Sequence, residues 1–250
     1  MSHEPFIYTP PETESNIVIL CDHATNIVPG WVHNGSLGIS EDDMGRHIAY
    51  DVGALAVSKI LAQMMNAHMV ASQFSRLVID PNRGEDDPTL IMKIYDRTII
   101  EANRSVSPQE RETRIVKLHR PYHDKIESVM AGIKENGRSP VIISMHSFTK
   151  QLRGRDQRPW HVGILSGDDR RMADEVISAY EAFDGICVGD NEPYHGALEG
   201  DTLDQHGIRS GIQHCLIEIR NDLIEETNGQ QKWAETTYQA LAKTIKKMGI

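Results

Sequence analysis

The stretch Val141-Ile142-Ile143-Ser144-Met145-His146-Ser147-Phe148 constrains the fold most. Three successive β-branched apolar residues predict a buried strand, and polar, ionisable residues follow where that strand runs out. His146 is therefore expected at a strand's carboxyl end. In open α/β sheets the loops leaving that edge form the crevice in which ligands bind. Two further stretches repeat the arrangement: Ile17-Val18-Ile19-Leu20-Cys21-Asp22-His23, and Cys215-Leu216-Ile217-Glu218-Ile219-Arg220-Asn221-Asp222. Two imidazoles and a carboxylate at separate strand ends are the side chains a hydrolytic zinc site needs: nitrogen ligands, an open coordination position and a base for water.

A chain of 250 residues can bury its core as one α/β domain spanning 1–250. No stretch approaches the roughly 18 apolar residues of a membrane span. The opening Met1-Ser2-His3-Glu4-Pro5 lacks the basic and apolar parts of a leader, so a cytoplasmic location is expected. A formal charge of −10 argues against a nucleic-acid partner, while leaving room for a small anion in a locally positive pocket. Cys21, Cys187 and Cys215 are odd in number and sit in apolar runs, which predicts buried free thiols.

Along the chain, residues 1–15 read as an extended lead-in and 16–22 as the first strand. Ser40 with Glu41, Asp42 and Asp43 reads as a helix start, and apolar residues at helical spacing carry that helix to about residue 65. Strands are predicted at 68–71 and 76–80, the latter emptying into the polar loop 81–88. A long helix is predicted over 108–135, with Pro121 kinking or dividing it. After the central strand come a basic loop at 150–160, a strand at 162–165, a helix over 169–183 and a short strand at 186–188. Then follow the strand bearing Glu218 and a closing helix at 230–247. Strands alternating with helices predict a three-layer α/β fold, its mixed, mostly parallel sheet covered on both faces.

Six motifs taken together resemble the N-formylglutamate amidohydrolases, a family distantly similar to zinc carboxypeptidases and aspartoacylases. They are Cys21-Asp22-His23-Ala24 with Pro29; Ser75-Arg76-Leu77-Val78-Ile79-Asp80-Pro81-Asn82-Arg83; Arg120-Pro121-Tyr122-His123; Met145-His146-Ser147-Phe148; Asn191-Glu192-Pro193-Tyr194; and Glu218-Ile219-Arg220-Asn221-Asp222-Leu223. Each alone is weak, but their order spans roughly 15–225. The resemblance implies a zinc-carboxypeptidase-like fold and one Zn2+ ion held by His23 and His146. In the related carboxypeptidases a glutamate three residues after the first histidine is the next ligand; here that position is Asn26, a poor zinc ligand. Asp43, an acid near the start of the following helix, is the preferred third ligand, with Asp22 and Asn26 the alternatives.

By the same resemblance, Glu218 is the general base that takes a proton from the attacking water and passes it to the departing nitrogen. Arg83 with Asn82 holds the substrate carboxylate, a planar guanidinium meeting it bidentately. Arg76, His123 and Arg220 are further substrate-binding candidates, and Tyr194 and His195 lie on a loop able to close over the pocket. The implied activity is hydrolysis of N-formyl-L-glutamate, or a similar N-acyl amino acid, to formate and the free amino acid. Two other readings remain open: a deacylase or carboxypeptidase-like hydrolase of another carboxylated amide, and a catalytically silent metabolite binder. The loop 81–88 is acidic beside its arginine, which weighs against a dianionic substrate.

Overall fold

The computed structural model describes residues 3–196 and 198–250. Seven strands form one sheet in the order β1-β3-β2-β6-β9-β7-β8: β1 (Phe6–Thr9), β2 (Ile17–Cys21), β3 (His68–Ser72), β6 (Val141–Phe148), β7 (Val162–Leu165), β8 (Val188–Asp190) and β9 (Gln213–Arg220). A separate two-stranded hairpin comprises β4 (Ile94–Tyr95) and β5 (Thr98–Ile99). The β3–β2–β6–β9 block is parallel, whereas β1 and β7 pair antiparallel to β3 and β9. The expected three-layer α/β architecture with a mixed, mostly parallel sheet is what the chain forms. Its central strands β6 and β9 are almost wholly buried, as their apolar runs require.

Alternation along the strands sends odd and even residues to opposite layers. Ile19, Met69, Val141, Ile143, Met145, Cys215 and Ile217 face one core with α2 (Ala54–Met65), α5 (Ala173–Glu181) and α6 (Thr227–Met248). Val18, Leu20, Val70, Ile142 and Leu216 face the other, together with Tyr122, Ile126 and Val129 of α4 (Arg120–Glu135). Asp22, His146 and Glu218 share the parity of this second layer, whereas His23 lies just beyond the end of β2 and has the opposite parity. The chain leaves β2 for β3 on one side and later returns to β6 on the other, so the carboxyl edge between β2 and β6 is a topological switch point.

Four departures from the sequence reading have physical causes. The residues expected as a lead-in supply β1, whose backbone closes the β3 edge. The helix expected from 41 to 65 is divided into α1 (Glu41–Met44) and α2, with an irregular stretch between them that begins at Gly45 and ends at Gly53. Gly53 has φ +81°, and a Cβ there would stand 2.2 Å from the Ile224 carbonyl oxygen. The segment 76–80 is not a strand. Its carbonyls are taken by side chains instead: Asn103 Nδ2 donates to Leu77 O at 2.7 Å, and the fully buried Arg114 donates to Val78 O at 2.8 Å. Cys187 is exposed, whereas Cys21 and Cys215 are buried, and all three thiols are free.

The long helix is divided as Pro121 demands. After α3 (Pro108–Arg114) a π-helical turn, Ile115–His119, sends the Arg120 N–H back to Ile115 O, and α4 begins beside the proline that has no N–H to give. Among the described residues no helix is long and apolar enough to cross a membrane.

Two glycine substitutions are expected to act in opposite directions. Gly53→Ala meets both a left-handed backbone and the Ile224 carbonyl, and should lower unfolding free energy by about 2–4 kcal/mol. Gly132→Ala lies within α4 with nothing inside 4 Å of its Cβ, and should raise it by roughly 0.5–1 kcal/mol. Urea titration of both variants at constant slope checks the signs.

Candidate active site

The three strand ends converge at one edge of the sheet. His146 of β6 and Glu218 of β9 are paired across the parallel ladder, and Gly163 of β7 is opposite Glu218. A Cβ at Gly163 would collide with Glu192 O at 2.1 Å, so the missing side chain lets the 191–196 loop lie across the sheet beside Glu218. His23 follows β2. Its ring and that of His146 stand edge to face with centroids 4.9 Å apart, both buried.

Each imidazole is held from behind by an aspartate. His23 Nε2 lies 2.7 Å from Asp80 Oδ1, and His146 Nε2 lies 3.0 Å from Asp22 Oδ2. Those acceptors select the tautomer protonated at Nε2 and turn both Nδ1 atoms inward. There they meet Asp51: its Oδ2 is 2.9 Å from His146 Nδ1 and 3.4 Å from His23 Nδ1. These three electronegative atoms need positive charge among them, which a proton on His146 Nδ1 or a cation supplies. His23 Nδ1 is buried without a hydrogen-bond partner, and ligand atoms of His23, Asp51 and His146 lie within 4.8 Å of one another. Two imidazole nitrogens and a carboxylate oxygen at this spacing fit a divalent cation.

The aspartates are themselves fastened. Asp22 accepts from the Tyr122 hydroxyl at 2.7 Å and from the Thr202 hydroxyl at 3.0 Å, and Asp80 is paired with Arg76 Nη2 at 2.7 Å. Burial opposes ionisation of Asp22, but hydrogen bonding and charge from the two histidines outweigh it and hold the group at about 2. Asp51 and Asp80 are likewise held below the usual carboxylate range despite burial, the first by His23 and His146, the second by Arg76 and His23. Burial alone depresses His146; its bonds to Asp22 and Asp51 reverse that and push it well above an ordinary histidine. Glu218 goes the other way. Burial, with Asp51 nearby, raises it to about 7, and its Oε2 is buried without a partner.

These groups open into a cavity of about 430 Å³, lined by His23, Asp51, His146, Glu218, Arg76, Asn82 and Arg83 among others. Asn82 Oδ1 accepts from the Thr202 N–H at 3.1 Å, which leaves the amide nitrogen as the end able to donate. Arg83 gives one bond to Asn82 O and another to Thr89 Oγ1. Tyr194 and His195 also line the cavity. So His23, His146, Glu218, Asn82, Arg83 and Arg76 all line one cavity, although Arg76 is committed to Asp80.

Three expected site residues are placed elsewhere. Asp43 stands apart from the histidines: it is the N3 residue of α1, bonded through its backbone to the Ser40 cap and through its carboxylate to Arg46 at 2.6 Å. Asn26 donates to Met44 O and is exposed, and Asp22 serves His146 from behind. His123 lies behind the 81–88 loop, bridging Pro81 O and His206 at 2.9 Å each. Arg220 pairs with Asp222 at 2.7 Å and binds Trp160 O, tying down the end of the 150–160 loop. The residue missed was Asp51. An unbroken helix over 41–65 put it on a helix surface, whereas the glycines at 45 and 53 were the available sign that the chain bends there.

Comparison with known proteins agrees with this hydrolase-like arrangement at a sheet edge. The family model for N-formylglutamate amidohydrolase matches residues 15–225, and the chain belongs to that family. An N-formylglutamate deformylase of Pseudomonas putida is 24% identical over 161 residues, a match spanning 58% of this chain and 58% of that relative. The crystal structure of a gene product from Agrobacterium tumefaciens superposes with a TM-score of 0.93 at 31% identity, covering 100% of this chain and 98% of the other. That of N-formylglutamate amidohydrolase from Ralstonia eutropha JMP134 superposes at 0.71 and 21% identity, over 98% and 99% of the two chains, and shares the fold.

Asp51→Ala should abolish stoichiometric binding of zinc by the purified protein, and Asp43→Ala should leave it intact. Inductively coupled plasma analysis after dialysis distinguishes them; the reverse pattern would restore Asp43 as the ligand.

Proposed function

We propose that the protein is a metal-dependent amidohydrolase that cleaves the formyl C–N bond of N-formyl-L-glutamate or a similar N-acyl amino acid. The observation that carries this reading is the convergence of both Nδ1 atoms on Asp51, with Glu218 beside them and Asn82-Arg83 across the same cavity. His23, His146 and Asp51 would hold the ion, for which imidazole and carboxylate donors favour zinc. When bound, it supplies Lewis-acid polarisation of the amide carbonyl.

The chain's own groups account for the remaining steps. Arg83, with the Asn82 amide, binds the substrate carboxylate and thereby fixes where the amide carbon lies. Glu218 takes a proton from water as the water oxygen bonds to that carbon. It then gives a proton to the amine nitrogen as the C–N bond breaks, so formate and the free amino acid leave and Glu218 is restored. Asp22 and Asp80 keep the two imidazoles in one tautomer and orientation throughout. Pro193, Tyr194, His195 and Gly196 of the 191–196 loop form one side of the cavity.

Formate release by the purified protein should disappear on chelation and return on adding zinc. Glu218→Gln should lower kcat by about 10²–10⁴ while metal content stays at the wild-type level. Full activity in metal-free protein, or in the Glu218→Gln variant, would defeat the mechanism.

A further inference from the structure

We propose that Arg158 is the specificity-determining residue that receives the side-chain carboxylate of the substrate. This rests on the amidohydrolase reading above and assigns the end of the cavity that Arg83 does not serve. Arg158 precedes β7, whose first residue, Val162, is opposite Ile219 near the carboxyl end of β9, so it stands at the sheet edge that carries His146 and Glu218. Its guanidinium is fixed over two residues that line the cavity. The Cζ atom lies 4.9 Å from the centroid of the Tyr194 ring and 5.7 Å from that of Phe148. Nη1 donates to Thr149 O at 2.9 Å and Nη2 to the Tyr194 hydroxyl at 3.1 Å. The backbone is held as well: the Arg158 N–H donates to Lys150 O, and Arg220 donates to the Arg158 carbonyl.

Aromatic faces and uncharged oxygens thus orient this cation without neutralising it. Arg153 and Lys150 of the same loop reach Asp43 and Asp222, whereas among the described residues Arg158 has no carboxylate partner. The in-plane N–H groups that remain can meet a carboxylate as a fork. The sheet order sets β2, β6 and β9 between β7 and β3, and the chain leaving β3 carries Asn82 and Arg83. Arg83 and Arg158 therefore flank the cavity from opposite sides, with His23, His146 and Glu218 between them. An N-acyl amino acid with a carboxylate at each end spans such a pair while its amide stays between them, and Leu165 and Leu216 offer apolar contact to its methylenes. The acids of the 81–88 loop do not oppose this. Glu85, Asp86 and Asp87 line a neighbouring cavity of about 680 Å³, and Glu85 is paired with Arg120 at 2.8 Å. A side-chain carboxylate accordingly gains an uncompensated cation that a neutral amide of the same length does not.

The test compares kcat/KM for formate release from N-formyl-L-glutamate and N-formyl-L-glutamine, using zinc-loaded protein. The wild type is expected to favour the glutamate compound by at least about tenfold, mainly through KM. Arg158→Gln keeps a donor for Thr149 O but removes the charge, and should lower that ratio at least about tenfold; Arg158→Lys should recover part of it. Arg83→Gln should depress both substrates and keep the ratio, since both carry the α-carboxylate. A wild-type ratio near one, or an Arg158→Gln variant that loses both activities equally and keeps the wild-type ratio, overturns the assignment and leaves the amidohydrolase reading standing. No formate from either compound with wild-type protein, bound zinc verified, overturns both.

Discussion

The mutual repulsion of buried lone pairs is the constraint on which the rest of this structure depends. Asp51 presents one oxygen to two imidazole nitrogens whose opposite ends are already committed to Asp22 and Asp80. Such an arrangement calls for positive charge at its centre, whether a proton on His146 Nδ1 or a cation, and the surrounding bonds hold the three groups in place. Asp22 is gripped by Tyr122 of α4 and by Thr202, Asp80 by Arg76, and the sheet itself sets His146 beside Glu218. Few of these groups can be moved singly, because each one's partner is buried and would be left without compensation.

The neighbouring glutamate has the opposite environment. Asp22, Asp51 and Asp80 are surrounded by hydrogen-bond donors and kept ionised, while Glu218 has burial without a donor at Oε2. Carboxylates of one chemical type thus divide into groups held ionised and one that protonates readily, through surroundings alone. The irregular segments matter as much as the strands. Over 76–80, Arg114 and Asn103 take up the backbone carbonyls that this irregular path leaves without ladder partners.

Much of this was legible in the sequence where local chemistry decides it. The apolar runs before His23, His146 and Glu218 set strands and placed these groups toward the strands' carboxyl ends. Pro121 announced the division of the long helix. What the sequence hid was decided by contacts distant along the chain. Asp51 sits between glycines that a helical periodicity overrode, and Gly53 is required because Ile224 presses on it from the far end of the molecule. Asp43 has the charge and the helix position of a ligand, yet Arg46 claims it. Arg220 and His123 have the right chemistry but support loops rather than face the cavity, and no spacing rule distinguishes those roles.

The wide separation of the partners along the chain carries one more consequence. The Asp22–Thr202 bond joins residues 180 positions apart, and the His146–Asp22 contact joins residues 124 apart. The His23, Asp51 and His146 cluster and its backing aspartates all lie within the first 146 residues, while the hydroxyl that braces Asp22 comes from Thr202, so the carboxyl-terminal third contributes the brace rather than the cluster itself.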